Sequence, residues 1–437
     1  MFATFRNAWR IPELRKKIIF PLFVIVAFRF GSVLPIPFLD MTQLATTMDQ
    51  LAEAGGGIGY LNMLTGEAFS RATLFALGIQ PYINSSIIMQ LLQVAIPPLE
   101  RLSKEGETGR KKIAAITRVV TVGLGLLMSV AYYFFLRNNS IVLYTGGFAS
   151  IFSAIVIILA FTAGTALIMW MGEQINEKGI GNGISIILFA GIVARLPVTF
   201  DTARKYFVEG LSDSAKTKNL ILVPIFILLF LAIIWVITYM NEAERRITVQ
   251  YAKKVVGRKM YGVQSSFLPI KVAMSGVMPV IFANSILSIP TIVKMFFSVS
   301  DPSIVGRIFK TLESGGAVYC ILYFLFILAF AYFYMTIQYN PLEMANNLRQ
   351  SNGTVPGIRP GKPTADFIGK ILSRVTLIGA LYLSVVAILP ILYGNFSGLQ
   401  NLSFGGTSII IIVGVALETV KQLESQMMMR HYKGFLD

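Results

Sequence analysis

The chain has 437 residues, of which 55% are hydrophobic and 14% charged, with a mean hydropathy of +0.67 and a formal net charge of +16. That composition lies outside the range of soluble domains and describes an integral membrane protein. A single cysteine, Cys320, excludes an intramolecular disulfide, and a single histidine, His431, excludes a histidine-rich metal centre or a Ser-His-Asp triad in the membrane.

A bilayer-length window over the apolar runs predicts ten spans, at 18–37, 75–97, 114–136, 151–171, 183–200, 220–240, 272–297, 317–338, 371–393 and 407–420. Glu418 and Lys421 interrupt the last early, so it is expected to run on as an amphipathic helix. The first run is of spanning length and lacks a small-residue cleavage site, so it is expected to stay as an anchor. The basic residues before it fit an amphipathic lead on the membrane surface or a plain topology signal. Lys and Arg gather in the loops on the N-terminal side of the membrane, which places both termini in the cytoplasm. Arg29, near the far end of the first span, is expected to snorkel to the interface.

Between the first two spans, the glycine run 55–59 leads into a short half-apolar piece, Tyr60, Leu61, Asn62, Met63, Leu64 and Thr65. About 20 apolar residues are needed to cross a bilayer, so this piece enters without crossing. Broken backbone at membrane depth is tolerated only where it is buried in protein or lines a wet cavity. The following span reads PYINSSIIMQ, where Ile83 and Ile87 share a face and Asn84, Ser85, Ser86 and Gln90 sit beside it. The seventh span repeats the mixture with Ile281, Asn284, Ser285 and Ser288 between Pro279 and Pro290, two prolines that allow a bend.

Two loops have the look of nucleotide sites and lack their context. The basic loop 98–112 has no GxxxxGK[ST], and GIGNG at 179–183 has no βαβ unit around it and reads as a turn opening the fifth span. In the longest basic loop, 241–271, Arg246, Thr248 and Gln250 alternate with Ile247, Val249 and Tyr251, a period of two that predicts a strand in a protruding hairpin. A second basic loop, 338–370, holds VPGIRPGKP, where Pro356 and Pro360 stiffen the backbone around Arg359. Such protrusions are docking surfaces or solvated topology signals.

The segments NMLTGEAFSRATLFALGIQPYINSSIIMQLL, KEGETGRKK, GEQINEKGIGNGISI, LPIKVAMSGVMPVIFANS, VPGIRPGKPT and FGGTS together resemble the SecY family of bacterial protein-conducting channels, over nearly the whole chain. The resemblance implies an all-α membrane fold of ten transmembrane helices in two inverted, pseudo-symmetric five-helix halves, 1–200 and 220–437, joined by an external hinge loop at 201–219. Five spans per half is an odd number, which also requires inversion if the halves are alike. It implies a plug helix at about 58–70, centred on residues 60–65. A pore ring is carried over onto Ile83, Ile87, Ile184, Leu188, Ile281 and Ile411, and a lateral gate onto Ser86, Gln90, Asn284 and Ser285. Motor or ribosome docking falls on Arg245, Arg246, Lys253, Lys254, Arg258, Lys259 and Arg359. SecE and SecG small subunits, the SecA motor, the ribosome, signal sequences, translocating chains and lipids are the implied partners, with no cofactor and no metal. The implied activity passes unfolded polypeptide across the cytoplasmic membrane and releases apolar segments sideways into lipid.

Two other classes remain to be weighed. An ion-coupled transporter also has inverted halves and broken helices, yet its coupling charges sit at the midplane. Here Glu173, Glu242, Glu343 and Glu418 lie at span ends or in loops, which disfavours proton coupling more than sodium coupling. An intramembrane enzyme would need an acid pair or a histidine inside a span, and the spans offer neither.

Overall fold

The computed structural model describes residues 6, 8–53, 65–212, 218–251, 254–256, 259–261, 265–274, 276–296, 316–398 and 405–433. Among these, seven helical stretches are long and apolar enough to cross a membrane: Glu107–Asn138, Gly147–Lys178, Gly183–Leu211, Asn219–Glu242, Ala317–Gln350, Lys362–Ser397 and Gly406–Met428. The three other predicted spans also fall on helices, for which length or charge differs. We name the helices in chain order as α1 (Pro12–Gly31), α2 (Met41–Glu53), α3 (Gln80–Ala95), α4 (Pro97–Lys104), α5 (Glu107–Asn138), α6 (Gly147–Lys178) and α7 (Gly183–Val193). There follow α8 (Leu196–Ser212), α9 (Asn219–Glu242), α10 (Met278–Phe296), α11 (Ala317–Gln338), α12 (Pro341–Gln350), α13 (Lys362–Ser397) and α14 (Gly406–Lys433).

Several boundaries differ from the sequence reading; the first span was expected at 18–37, whereas α1 runs from Pro12 to Gly31. The second span was expected from residue 75, whereas α3 begins at Gln80, after a run of turns in which Gly78 takes a positive φ of 56°. Sixteen residues rise about 24 Å, short of the roughly 30 Å hydrocarbon layer. The fifth span was expected to end at residue 200 and a polar loop to begin at 201. Instead α7 stops at Val193, and a second helix, α8, carries on past Asp201 to Ser212. Pro197, near the start of α8, explains the break: its ring lacks an N–H and clashes with the preceding turn. The seventh span was expected from 272, and α10 begins at Met278. The tenth behaves as expected, since α14 runs without interruption past Glu418 and Lys421.

The helices close into a circuit. Going round, α3 packs on α5, α5 on α6, α6 on α7, α7 on α14, α14 on α13, α13 on α11, α11 on α10, and α10 returns to both α3 and α5. Helix α1 lies outside against α6 and α7, and α9 against α8, α13 and α14. Many outward side chains of these helices are large and exposed, among them Phe23, Val119, Phe148, Leu228 and Trp235, as expected of surfaces solvated by lipid.

At one end of the bundle the chain builds a small sheet. Strands β1 (Glu244–Tyr251) and β4 (Ser265–Lys271) form the predicted hairpin, extended by β2 (Lys254–Val256) and β3 (Lys259–Tyr261). Ile247 and Val249 are buried and Arg245, Arg246, Thr248 and Gln250 are not, so the alternation read from the sequence decides which face packs. A third strand, β5 (Gly353–Thr354), pairs with β1 at Gln250 and Tyr251 and gives the order β4-β1-β5. Ile247, Val249, Ile270, Leu348, Val355, Ile368 and Leu372 make a separate core beneath it.

Candidate functional site: an apolar centre and an untied seam

Ile83, Ile87, Leu188, Ile281 and Ile411 are all buried and belong to one apolar cluster, with Ile184 half-buried against it. Four helices deliver them: α3, α7, α10 and α14. Each is placed for a local reason. Pro81 at the start of α3 follows the turn at Gly78 and sets the helix just before Ile83. On α7 the GIGNG turn does the placing. Asn182 caps the helix by accepting from the backbone N–H groups of Ile184 and Ser185. Gly181 has φ 93°, and its N–H donates to Gln422 Oε1 of α14 at 2.9 Å. A Cβ on Gly183 would stand 2.0 Å from the carbonyl oxygen of Gly172. The glycines therefore serve close packing of α6, α7 and α14.

Arg29 does something other than snorkel. Its Nη2 donates to the carbonyl oxygens of Ala190 at 2.8 Å and Gly191 at 3.3 Å, at the C-terminal end of α7. The reason is physical: among the described residues the Gly191 carbonyl has no backbone donor where α7 stops, and it gives the guanidinium a partner inside the protein.

The expected gate residues do not bond to one another across the boundary between α3 and α10. Gln90 Nε2 reaches Ser86 Oγ on its own helix at 3.4 Å, and Asn284 Oδ1 accepts from the Tyr319 hydroxyl of α11 at 3.5 Å. Ser285 is buried with its hydroxyl unpartnered. The neighbouring contacts are tied by polar groups. Ser85 donates to the Thr117 carbonyl between α3 and α5 at 3.0 Å, and Arg118 pairs with Glu173 between α5 and α6 at 2.7 Å. Asn176 accepts from the Gly183 N–H between α6 and α7, and the Tyr332 hydroxyl donates to the Ser373 carbonyl between α11 and α13. Among the described residues no hydrogen bond joins α10 to α3 or to α5. That seam is held by packing alone, so parting it breaks no buried polar pair.

Of the expected docking residues, Arg245, Arg246 and Arg359 are exposed. Lys254 and Lys259 fall on the backbone of β2 and β3, while Lys253 and Arg258 lie outside the described residues, as do Tyr60, Leu61, Asn62, Met63 and Leu64 of the expected plug. Thr65 is described and buried, and Oγ1 of this residue accepts from the Phe69 N–H at 3.2 Å. From there the chain is held through Phe69, whose ring lies 4.5 Å from that of Tyr132 and whose carbonyl accepts from the Tyr132 hydroxyl at 2.6 Å. Sequence reasoning missed Arg29, Gln422 and β5. A two-residue strand carries no periodicity to find, and the roles of Arg29 and Gln422 depend on where other helices end.

A closed circuit of lipid-facing helices around an apolar centre, with the seam between α3 and α10 free of hydrogen bonds among the described residues, is the architecture of a multi-pass membrane channel. A family model described as SecY matches residues 73–420. The protein translocase subunit SecY of Streptomyces coelicolor is 42% identical over 447 residues, and that of Mycobacterium tuberculosis strain H37Rv 39% identical over 452, each alignment covering 100% of both chains. The fold is similar to a solved protein-conducting channel (TM-score 0.58, 16% identity, 96% of each chain) and to a SecY structure in which the plug domain was studied (TM-score 0.62, 17% identity, 96% of each chain). It is also similar to Sec61 in a canine ribosome–channel complex (TM-score 0.55, 15% identity, 96% of each chain). The chain belongs to the SecY family, and is the channel subunit of a protein translocase.

Proposed function

We propose that Ile83, Ile87, Ile184, Leu188, Ile281 and Ile411 form the seal of the channel, and that the seam between α3 and α10 is its lateral gate. The observation that carries the reading is the coincidence of the two: the apolar cluster borders the boundary between α3 and α10, across which no hydrogen bond runs among the described residues. A narrow aliphatic constriction excludes water and ions by dewetting, offers no hydrogen bond to a passing chain, and yields around any side chain. A hydrophobic signal sequence enters between α3 and α10, the plug at residues 60–65 withdraws, and the chain threads the seal or leaves sideways into lipid. Ser86, Gln90, Asn284 and Ser285 line the opened gate, where they meet the polar groups of the entering segment.

In this reading the protein sits in the bacterial cytoplasmic membrane with both termini inside, in two inverted halves that meet near residues 201–219. Bound SecE and SecG complete it, and it catalyses no reaction of its own. SecA or the ribosome docks on Arg245, Arg246, Lys253, Lys254, Arg258, Lys259 and Arg359 and supplies the driving force. Support comes from β5, which brings the loop bearing Arg359 beside the hairpin bearing Arg245 and Arg246.

The test replaces Cys320 by Ser, introduces Ile83→Cys, and stalls a cysteine-bearing secretory chain halfway across. A disulfide between chain and position 83 is expected. Absence of the bond at positions 83, 281 and 411, with the chain demonstrably stalled, removes the seal assignment. Ile281→Asn should also raise ion leak through vesicles by about tenfold or more, since one polar group in a dry constriction lets water bridge it. An unchanged leak counts against the same assignment.

A further inference from the structure

From the contacts of Arg29 with α7 we infer that Arg29 is a positioning residue for the α7 side of the channel centre. Helix α7 is short because the chain breaks before α8. At that break the Arg195 N–H turns back to the Ile192 carbonyl at 3.1 Å, so the Gly191 carbonyl loses its next-turn donor. The Arg29 guanidinium supplies the missing donor and also bonds the Ala190 carbonyl. Those two carbonyls sit two and three residues beyond Leu188, within the last turn of the helix that carries it. A cation at that end is also favoured by the helix dipole.

The charge of Glu67 lies near enough to favour both guanidinium groups, Arg29 and Arg195, and its carboxylate pairs with Arg71 at 2.9 Å. Gly66, with φ 63°, lies directly on the arrangement: a Cβ there would be 2.8 Å from the Gly191 carbonyl oxygen and 3.0 Å from both Arg29 terminal nitrogens. Three segments distant in sequence thus converge on the end of α7. The Arg71 pair is mostly exposed and adds little, whereas the half-buried Arg29 contacts fix where α7 ends. The consequence for transport rests on the seal reading given above, because it is Leu188 and Ile184 that the brace holds in place.

The experiment uses the full chain in its native membrane, with Cys320→Ser as background and Leu188→Cys or Ile83→Cys as reporter, probed by a small cationic methanethiosulfonate reagent. Arg29→Gln should speed modification at position 188 by about tenfold, the factor implied by losing a charge-assisted bond, and leave position 83 unchanged. Glu67→Gln should give a smaller rise, and the double variant should match Arg29→Gln alone, since both act through one contact. Arg29→Lys should rescue in part, because an ammonium keeps the charge without the planar fork. Equal rates at position 188 in Arg29→Gln and the parent overturn the inference. So does an equal rise at positions 83 and 188, which would mean general loosening. The seal reading is tested separately by cross-linking Leu188→Cys to a stalled chain in the protein with Arg29 intact; its failure leaves the brace readable through amide exchange at Ala194, whose N–H donates to the Ala190 carbonyl.

Discussion

Single side chains set the quality of the closed centre. Gln80 precedes Ile83 by three residues and Ile87 by seven, so all three share one face of α3. Its side chain is buried, and neither the amide nitrogen nor the amide oxygen has a partner. A buried amide without hydrogen bonds costs roughly 1–3 kcal/mol for each group left unmade. Gln80→Leu, which keeps the bulk and removes both atoms, should therefore raise the thermal unfolding midpoint in detergent by a few degrees. A lowered midpoint would mean that the amide has a partner in the folded protein. At this scale the sequence was legible in part. Isoleucine in an apolar span says nothing by itself about facing a centre, and the six proposed seal positions, which the structure gathers in one apolar cluster, were reached through surrounding motifs such as GNG and FGGTS. The Arg29 contact was not legible, since a guanidinium within reach of the interface looks the same in sequence whether it leaves the protein or caps a neighbour.

Among elements, the helices whose hydrophobic period and length agree were read well: α5, α6, α9, α11 and α13 lie where the apolar runs are. The errors fall where apolar composition and helical geometry part company. Residues 75–79 are as apolar as a helix needs, yet the turn at Gly78 delays α3, and Pro197 divides what composition presents as one span. Helix α2 shows the converse, a short helix that the sequence reading did not place and that a polar side chain starts. Asp40 Oδ1 accepts from the N–H groups of Thr42 at 2.9 Å and Gln43 at 3.2 Å and from the Thr42 hydroxyl, and these bonds hold its carboxyl below the usual range. A depressed pKa in the folded protein stabilises it above the unfolded value and is lost as pH falls through the folded one. Amide exchange at Thr42 and Gln43, corrected for intrinsic rates, should thus be steady from neutral pH down to the ordinary carboxylate range and accelerate only below it. Asp40→Asn, which keeps a cap without the charge, should abolish that acceleration.

For the molecule as a whole, the arrangement separates the basic sheet, proposed above as a docking platform, from the apolar centre. The three-stranded sheet has its own core and reaches the bundle through α9, α10 and α13. Gly353 is needed there because a Cβ would meet Tyr251 at 3.0 Å and Val249 at 3.1 Å. Gly353→Val should lever β5 from β1 and weaken binding of ribosomes or of the motor to membranes by about tenfold, equivalent to roughly 1.4 kcal/mol, with ion leak unchanged. If leak rises together with lost binding, platform and centre are one cooperative unit. The hairpin was legible from alternation, while its union with the second basic loop was not, because β5 offers two residues and a partner about a hundred positions earlier. That distance has a further meaning. The Thr354 hydroxyl donates to the Gln250 carbonyl across 104 positions of chain, so the sheet cannot be finished until α10, α11 and α12 have been synthesised. Contacts of such long range form late. If the sheet is the docking surface proposed above, a half-made copy with β1 and β4 already folded presents it unfinished, and a newly made channel can be engaged there only once most of its chain has been synthesised.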